Sequence, residues 1–197
     1  MNNEKERLAI FIDGSNLYHS LKRCGIKEID FNILISELSQ EKDLVKVYYY
    51  IAPLDIEHDK EKYWEHQRFL ENLKKIPKFE VILCTLKKIR KKDGGYQFFV
   101  KGDDARLIHD FIVGAYENLY DVAIIVSGDE DFEPMIKTAQ RLNKKIINAY
   151  FRSSSSNTLK RSCNSSININ QLIKKIKKCP ALSEDHTGEV ISNNKNS

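Results

Sequence analysis

The sequence lacks the features that mark several protein classes. It has no apolar run near the roughly 18 residues that a membrane-spanning helix needs, and its first residues, MNNEKERLAIFI, show no signal-peptide cleavage site. Its cysteines form no CxxC pair and have no histidines at zinc-ligand spacing, so neither a zinc site nor a disulfide framework is indicated. We therefore expect a cytoplasmic protein without membrane contact that keeps its cysteines as buried thiols, at Cys24, Cys84, Cys163 and Cys179.

Motifs for nucleotide cofactors and for two other acid-based sites are also missing. Neither glycine-rich phosphate loop, GxGxxG or GxxxxGK[ST], occurs in the chain, so no nucleotide cofactor is expected. Phosphatases of the haloacid-dehalogenase type need an acid two residues after a strand-end aspartate, but Ser15 follows Asp13 at that distance. The Asp-x-Ser-x-Ser pattern of integrin-type metal sites fails at Leu17.

Strand and helix patterns alternate along the chain. Continuous apolar runs at 8–12 and 122–126 indicate strands that are covered on both faces, and further strands are predicted at 44–52, 79–86 and 145–151. Helices are predicted to begin near residues 14, 30, 59, 103, 129 and 170, with a short one near 159 and a hairpin turn at 93–95. This alternation predicts an α/β domain, a Rossmann-like three-layer sandwich with a mainly parallel sheet of five or six strands. We assign residues 1–178 to this domain and expect a polar, disordered tail at 179–197.

Aspartates stand where the predicted strands end. Asp13 directly follows the first strand, and Asp129 follows the fourth across a two-residue turn, with Asp131 two positions later. Because parallel strands end at one edge of a sheet, where ligands bind in such folds, we expect these carboxylates to converge there. The same edge receives the helix that opens with Asp103 and Asp104.

Helical geometry separates the acids of that helix. Asp104 shares a stripe with apolar residues that should face the sheet, so its carboxylate should point into the crevice. Asp103 and Asp110 share a different face, about 100° away, and rank second as ligands. Taken alone, Asp103 is better explained as a first-turn residue that complements the helix dipole and caps free N–H groups, and Asp131 could likewise serve only the helix that follows it.

A cluster of carboxylates favours a hard divalent cation. Like charges at close range raise one another's pKa, and a cation relieves that repulsion. Oxygen ligands suit Mg²⁺ or Mn²⁺, whereas Zn²⁺ would require histidine or cysteine. A metal at this edge could generate hydroxide and stabilise the charge of a phosphoryl displacement.

Three segments resemble the NYN domain, a branch of the PIN-like nucleases, and the chain resembles its LabA-like members. They are AIFIDGSNL at 9–17, KGDDARLIHD at 101–110 and DVAIIVSGDEDFEP at 121–134. The resemblance covers roughly residues 7–178. It implies a PIN-like fold, Mg²⁺ or Mn²⁺ as cofactor, and a metal-dependent ribonuclease, a hydrolase that cleaves RNA phosphodiester bonds endonucleolytically.

The resemblance also implies roles for individual residues. The metal-binding and catalytic acids would be Asp13, Asp104, Asp129 and Asp131, with Asn16 as a further catalytic polar residue. Lys101 would be an accessory residue and Ser127 would shape the turn, while Asp110 matches another acid of the family pattern. Asp103 departs from that pattern, because a small apolar residue often occupies its position; this extra carboxylate would add a ligand or alter metal preference.

A basic run on the predicted hairpin is the candidate RNA contact. Cations attract phosphates, and aromatics on the return strand could stack unpaired bases, although a solvated hairpin with inward-packed aromatics explains them as well. The run consists of Lys87, Lys88, Arg90, Lys91 and Lys92.

Two other functions are compatible with these residues. A non-catalytic RNA-binding or regulatory module would use the acids only as weak metal ligands or helix caps, and a protein-interaction scaffold would not need RNA at all. Within the nuclease hypothesis, the RNA is single-stranded or structured, and a homodimer is possible.

Overall fold

A computed structural model describes residues 4–56, 59–90 and 96–178, with the backbone alone over 86–90, 96–101 and 175–178. Six strands form one parallel sheet in the order β3-β2-β1-β6-β7-β8. They are β1 (Arg7–Asp13), β2 (Asp43–Ile51), β3 (Phe79–Leu83), β6 (Val122–Val126), β7 (Lys145–Tyr150) and β8 (Ser165–Asn168). The strands β4 (Thr85–Arg90) and β5 (Tyr96–Lys101) pair separately as an antiparallel hairpin. The predicted α/β sandwich with a parallel sheet is confirmed.

Helices cover both faces of the sheet. Because β1 alternates its side chains, Ile10 and Ile12 pack into one core while Ala9 and Phe11 pack into the other. The first core includes residues of α1 (Gly14–Arg23), α2 (Phe31–Ser39), α3 (Lys60–Lys74) and α7 (Ile169–Lys178). The second includes residues of α4 (Asp103–Tyr116), α5 (Glu133–Arg141) and α6 (Asn157–Ser162). The layers are therefore helix, sheet and helix.

The order of the strands creates a crevice. The chain builds outward from β1 to β2 and β3 on one side, and from β6 to β7 and β8 on the other, so β1 and β6 are neighbours at the point where the direction reverses. In parallel sheets such a point opens a crevice beyond the carboxyl ends of the two strands. Asp13 ends β1 on this side, and Ser127 directly follows β6.

Several local boundaries differ from the sequence prediction. The strand predicted at 79–86 ends at Leu83, and the chain then enters the separate hairpin. The helix predicted after Asp129 begins as a 3-10 turn, Glu130–Phe132, because Pro134 sits in the first turn of α5 and has no N–H to donate. The strand β8 was missed because three of its four residues are polar, as an edge strand allows.

Other predictions fall partly or wholly outside the described residues. The turn at 93–95 and the tail at 179–197 lie there, although the two strands of the hairpin pair as predicted. Asp30 caps α2 as predicted, since its side chain accepts the backbone N–H groups of Asn32 and Ile33. No helix in the described ranges is long and apolar enough to cross a membrane.

Candidate active site

Asp13 stands at the end of β1 and at the start of α1. Its side chain accepts the backbone N–H of Asn16 at 2.9 Å, which makes it the N-cap of α1. The same carboxylate accepts a hydrogen bond from the Ser127 hydroxyl at 3.0 Å. Burial raises the pKa of Asp13, the two hydrogen bonds lower it, and the charges of Asp103 and Asp129 raise it further. The half-buried carboxylate therefore has two hydrogen-bond donors and lies within electrostatic range of two other acids.

The turn after β6 places Asp129 beside Asp13. The Asp129 side chain accepts the backbone N–H of Asp131 at 3.0 Å, and its own N–H donates to Ser127 Oγ at 3.1 Å. Asn16 Oδ1 accepts the N–H of Gly128 at 3.2 Å. The turn after β6 therefore donates two hydrogen bonds to the turn after β1, from the Ser127 hydroxyl to Asp13 and from the Gly128 N–H to Asn16.

Asp104, in the first turn of α4, lies within electrostatic range of these two turns. Desolvation, followed by the charges of Asp103, Asp13, Asp129 and Asp131, raises the pKa of Asp104 to about 6. A single carboxyl group that responds to four others lies in a strongly negative potential. The acids of three separate segments thus lie within electrostatic range of one another.

The donor chemistry suits a hydrated hard cation better than a closed metal cage. Within the described residues, no three His, Cys, Asp or Glu side chains lie close enough together to hold a metal ion. Mg²⁺ commonly keeps several of its waters and uses one or two carboxylates together with substrate phosphates. Oxygen donors arranged as in the Asp13 and Asp129 turns fit that mode of binding.

Asp110 belongs to a different network. Its carboxylate, 15% exposed, accepts hydrogen bonds from Arg106, Tyr50 and His109. Burial alone would raise the pKa of Asp110, but these hydrogen bonds and the charge of Arg106 hold it below its usual value. The Asp110 carboxylate is therefore already bound by three donors of the protein itself, two from α4 and one from β2.

The predicted RNA-contacting residues precede α4 along the chain. Lys87, Lys88 and Arg90 lie on β4, whereas Lys91 and Lys92 lie outside the described residues. Lys101 ends β5, and Gly102, at φ +86°, links it to α4. The side chains of this hairpin are outside the described part of the structure, so its RNA contact stays a prediction.

Two polar contributors to the site were not predicted from the sequence. Asn148, 1% exposed on β7, donates to the backbone carbonyls of Ile125 and Ser127 and so supports the turn before Asp129. Ser154 packs its carbonyl against Gly128, leaving no room for a Cβ there, and its hydroxyl lies 2.6 Å from that of Ser20. Asn148 could have been noticed as a polar residue within an apolar strand, whereas nothing in the sequence marks Ser154.

The six-stranded parallel sheet with helices on both faces is consistent with a PIN-like fold. The chain belongs to the NYN domain family, whose model matches residues 7–170, and this family is part of the PIN-like nuclease superfamily. NYN domains are generally nuclease-like and generally depend on divalent metals.

A solved structure of similar length matches the chain. A protein of unknown function from Vibrio parahaemolyticus is 27% identical, with a TM-score of 0.63; the match covers 86% of this chain and 96% of that one. A Parabacteroides merdae protein matches at 12% identity over 90% of this chain and 36% of its own, but with a TM-score of 0.31 it carries no weight. No curated protein matches the chain.

Proposed function

We propose that this protein is a divalent-metal-dependent endoribonuclease. The observation that supports the proposal is that Ser127 joins the Asp13 and Asp129 turns at the crevice. The charges of both acids also raise the pKa of Asp104. A fold that holds acids in such a potential is relieved by a hard cation. The NYN family membership supports phosphodiester cleavage as the chemistry.

Each acid has a role in this proposal. Asp13 and Asp129 would hold Mg²⁺ or Mn²⁺ together with several waters, and Asp104 and Asp131 would reach the ion only through those waters. Asp103 would add a further negative charge to the site, since it raises the pKa of both Asp13 and Asp104. When bound, the ion would supply a hydroxide nucleophile and neutralise charge on the phosphate. Asn16 accepts the Gly128 N–H through Oδ1, which leaves its NH₂ group as a donor for a phosphate oxygen.

A second candidate function rests on the caps. Asp13 and Asp129 each accept a backbone N–H of the helix that follows, which is a sufficient structural reason for an aspartate. A non-catalytic RNA-binding module would need no more than this. The two functions differ in whether RNA is cut.

The decisive experiment is a metal titration with labelled single-stranded and hairpin RNAs. We expect Mg²⁺ or Mn²⁺ to support cleavage by the wild type, and Asp13→Asn and Asp129→Asn to reduce it by about 100-fold or more, since several kcal/mol of charge stabilisation is lost. Asparagine retains the cap, so folding should persist. Asp30→Asn is the matched control, because Asp30 caps α2 in the same way.

The outcomes separate the candidates. RNA binding without product at any metal concentration would favour the non-catalytic module. Wild-type cleavage rates in both Asp13→Asn and Asp129→Asn would exclude the proposed mechanism.

A further inference from the structure

A second cluster of charged side chains lies beside the acidic edge. Tyr50, on β2, is paired in register with Asp13, and its buried hydroxyl donates to Asp110 Oδ2 at 3.2 Å. Arg106 Nε lies 2.8 and 3.1 Å from the two oxygens of the same carboxylate. The guanidinium is thereby connected, through Asp110 and Tyr50, to the strand next to Asp13.

The Arg106 side chain is held at Nε by Asp110, and the rest of its guanidinium is open to solvent. Asp110 is held by Tyr50, by His109 and by Arg106 itself, so its position is set from three directions. The Arg106 side chain is 59% exposed and contacts Asp110 through Nε, so its terminal amino groups reach solvent. A guanidinium held in this way loses less side-chain entropy when it binds an anion.

Arg106 also lies close to the acids of the site. It is three residues beyond Asp103 on α4, on the same flank of the helix. Burial raises the pKa of Cys84 to about 11, with the charge of Asp103 raising it and that of Arg106 lowering it. The charges of Arg106 and Asp103 therefore both reach Cys84, the residue that follows β3.

We propose that Arg106 binds a backbone phosphate of the RNA next to the cleaved one, with Asp110 and Tyr50 as its positioning residues. The inference rests on the proposed RNA substrate and extends it, since neither the acids nor their metal explains how a polyanion is held at a negative edge. A phosphate fits the exposed guanidinium because Arg binds it through two parallel N–H donors. Asp110 thus acts through Arg106 and not as a metal ligand.

The test is RNA binding with metal chelated, measured by fluorescence anisotropy with a labelled single-stranded RNA across a salt series. Arg106→Gln should weaken binding and reduce the slope of log K against log salt by about 0.7, the value for one phosphate contact on a single strand. Arg141→Gln, an exposed arginine in the last turn of α5, is the charge-matched control and should leave that slope unchanged.

Asp110→Ala gives the sharper result. It raises the net charge by one, so simple electrostatics predicts tighter RNA binding, whereas loss of the support for Arg106 predicts weaker binding. In the Arg106→Gln background, Asp110→Ala should add no further loss, because the two act as one unit. Circular dichroism confirms that each variant is folded.

The results distinguish this inference from the proposed function. Cleavage by the wild type together with an unchanged salt slope in Arg106→Gln, or tighter binding by Asp110→Ala, overturns the role of Arg106 alone. Absence of RNA binding by the wild type overturns both proposals.

Discussion

The hydroxyl of Ser127 donates to Asp13 across the crevice at 3.0 Å and accepts the backbone N–H of Asp129 at 3.1 Å. One small side chain, 2% exposed, thus links the Asp13 carboxylate to the Asp129 backbone, just beyond the point where β1 and β6 pair at Ile12 and Val126. The crevice at a strand-order reversal exists in any fold of this type. What is particular here is that the two acidic turns are tied to each other rather than only to their own helices.

Replacing Ser127 with alanine should impair the site more than the fold. We expect Ser127→Ala to lower RNA cleavage by about 10- to 100-fold, as is typical when a residue that orients metal ligands is lost. Its cost in unfolding free energy should be about 1–2 kcal/mol, because a buried hydrogen-bonding residue is removed. Cleavage rates and urea denaturation measure the two effects.

Ser39 offers a matched control. It is also buried, but its hydroxyl has no hydrogen-bond partner among the described residues. Ser39→Ala should leave cleavage unchanged and stability equal or slightly higher. Equal cleavage by Ser127→Ala and the wild type would show that Ser127 does not organise the acids.

Gly128 is required by its close approach to the loop after β7. A Cβ at this position would lie 1.5 Å from the carbonyl oxygen of Ser154, and backbone atoms have little freedom to move away. Gly128→Ala should therefore cost about 3 kcal/mol or more in unfolding free energy, or prevent folding. Urea denaturation followed by circular dichroism measures this loss.

Gly25 is the comparison, since its φ is +66° but a Cβ at this residue would have no atom within 4 Å of it among the described residues. Gly25→Ala should cost only the backbone strain, about 1 kcal/mol. If both alanine variants lose the same free energy, the contact with Ser154 is not what selects glycine at 128.

The strands that carry the candidate site were predictable because burial on both faces leaves an unmistakable pattern. The run 8–12 within β1 and the whole of β6 are apolar, and every residue of β6 is buried. The acids that follow these strands were located by the same rule, since parallel strands end at one edge. The local sequence pattern was therefore enough to predict the strands and to place Asp13 and Asp129 at the same edge of the sheet.

Contacts between distant segments were not predictable in this way. The polar β8 has no apolar pattern, because it pairs on one side only, at the edge of the sheet. The packing of Ser154 on Gly128 and the support from Asn148 depend on how β7, the loop after it and the turn after β6 meet in space. Such contacts leave no periodic pattern in the sequence, so they cannot be predicted from a single sequence.

The raised pKa of Asp104 has a consequence for stability that can be given a sign. Its folded-state pKa is about 6, above the usual 3.8, so the folded protein binds this proton more tightly than the unfolded chain does. The favourable contribution of the protonated form is complete below pH 4 and is lost as the pH rises through 6. Asp104→Asn should remove this dependence.

We expect the metal-free variant Asp104→Asn to gain stability over the wild type as the pH rises from about 4 to 7. A two-unit shift corresponds to nearly 3 kcal/mol, but Asp104 is exposed, so solvent screening should reduce the gain to about 1 kcal/mol. Urea denaturation in a chelator at several pH values measures the difference. Adding Mn²⁺ should then stabilise the wild type more than the variant, because binding to the folded state raises the free energy of unfolding.

Asp121→Asn is a control of opposite sign. Hydrogen bonds from Arg7 lower the pKa of Asp121 to about 2, so its contribution to stability is present above pH 4 and is lost as the pH falls toward 2. This variant should therefore be less stable than the wild type at neutral pH, and the deficit should shrink in acid. A pH-independent difference for Asp104→Asn, measured beside the expected trend for Asp121→Asn, would mean that the other acids do not act on Asp104, and the acidic edge would lose its electrostatic basis.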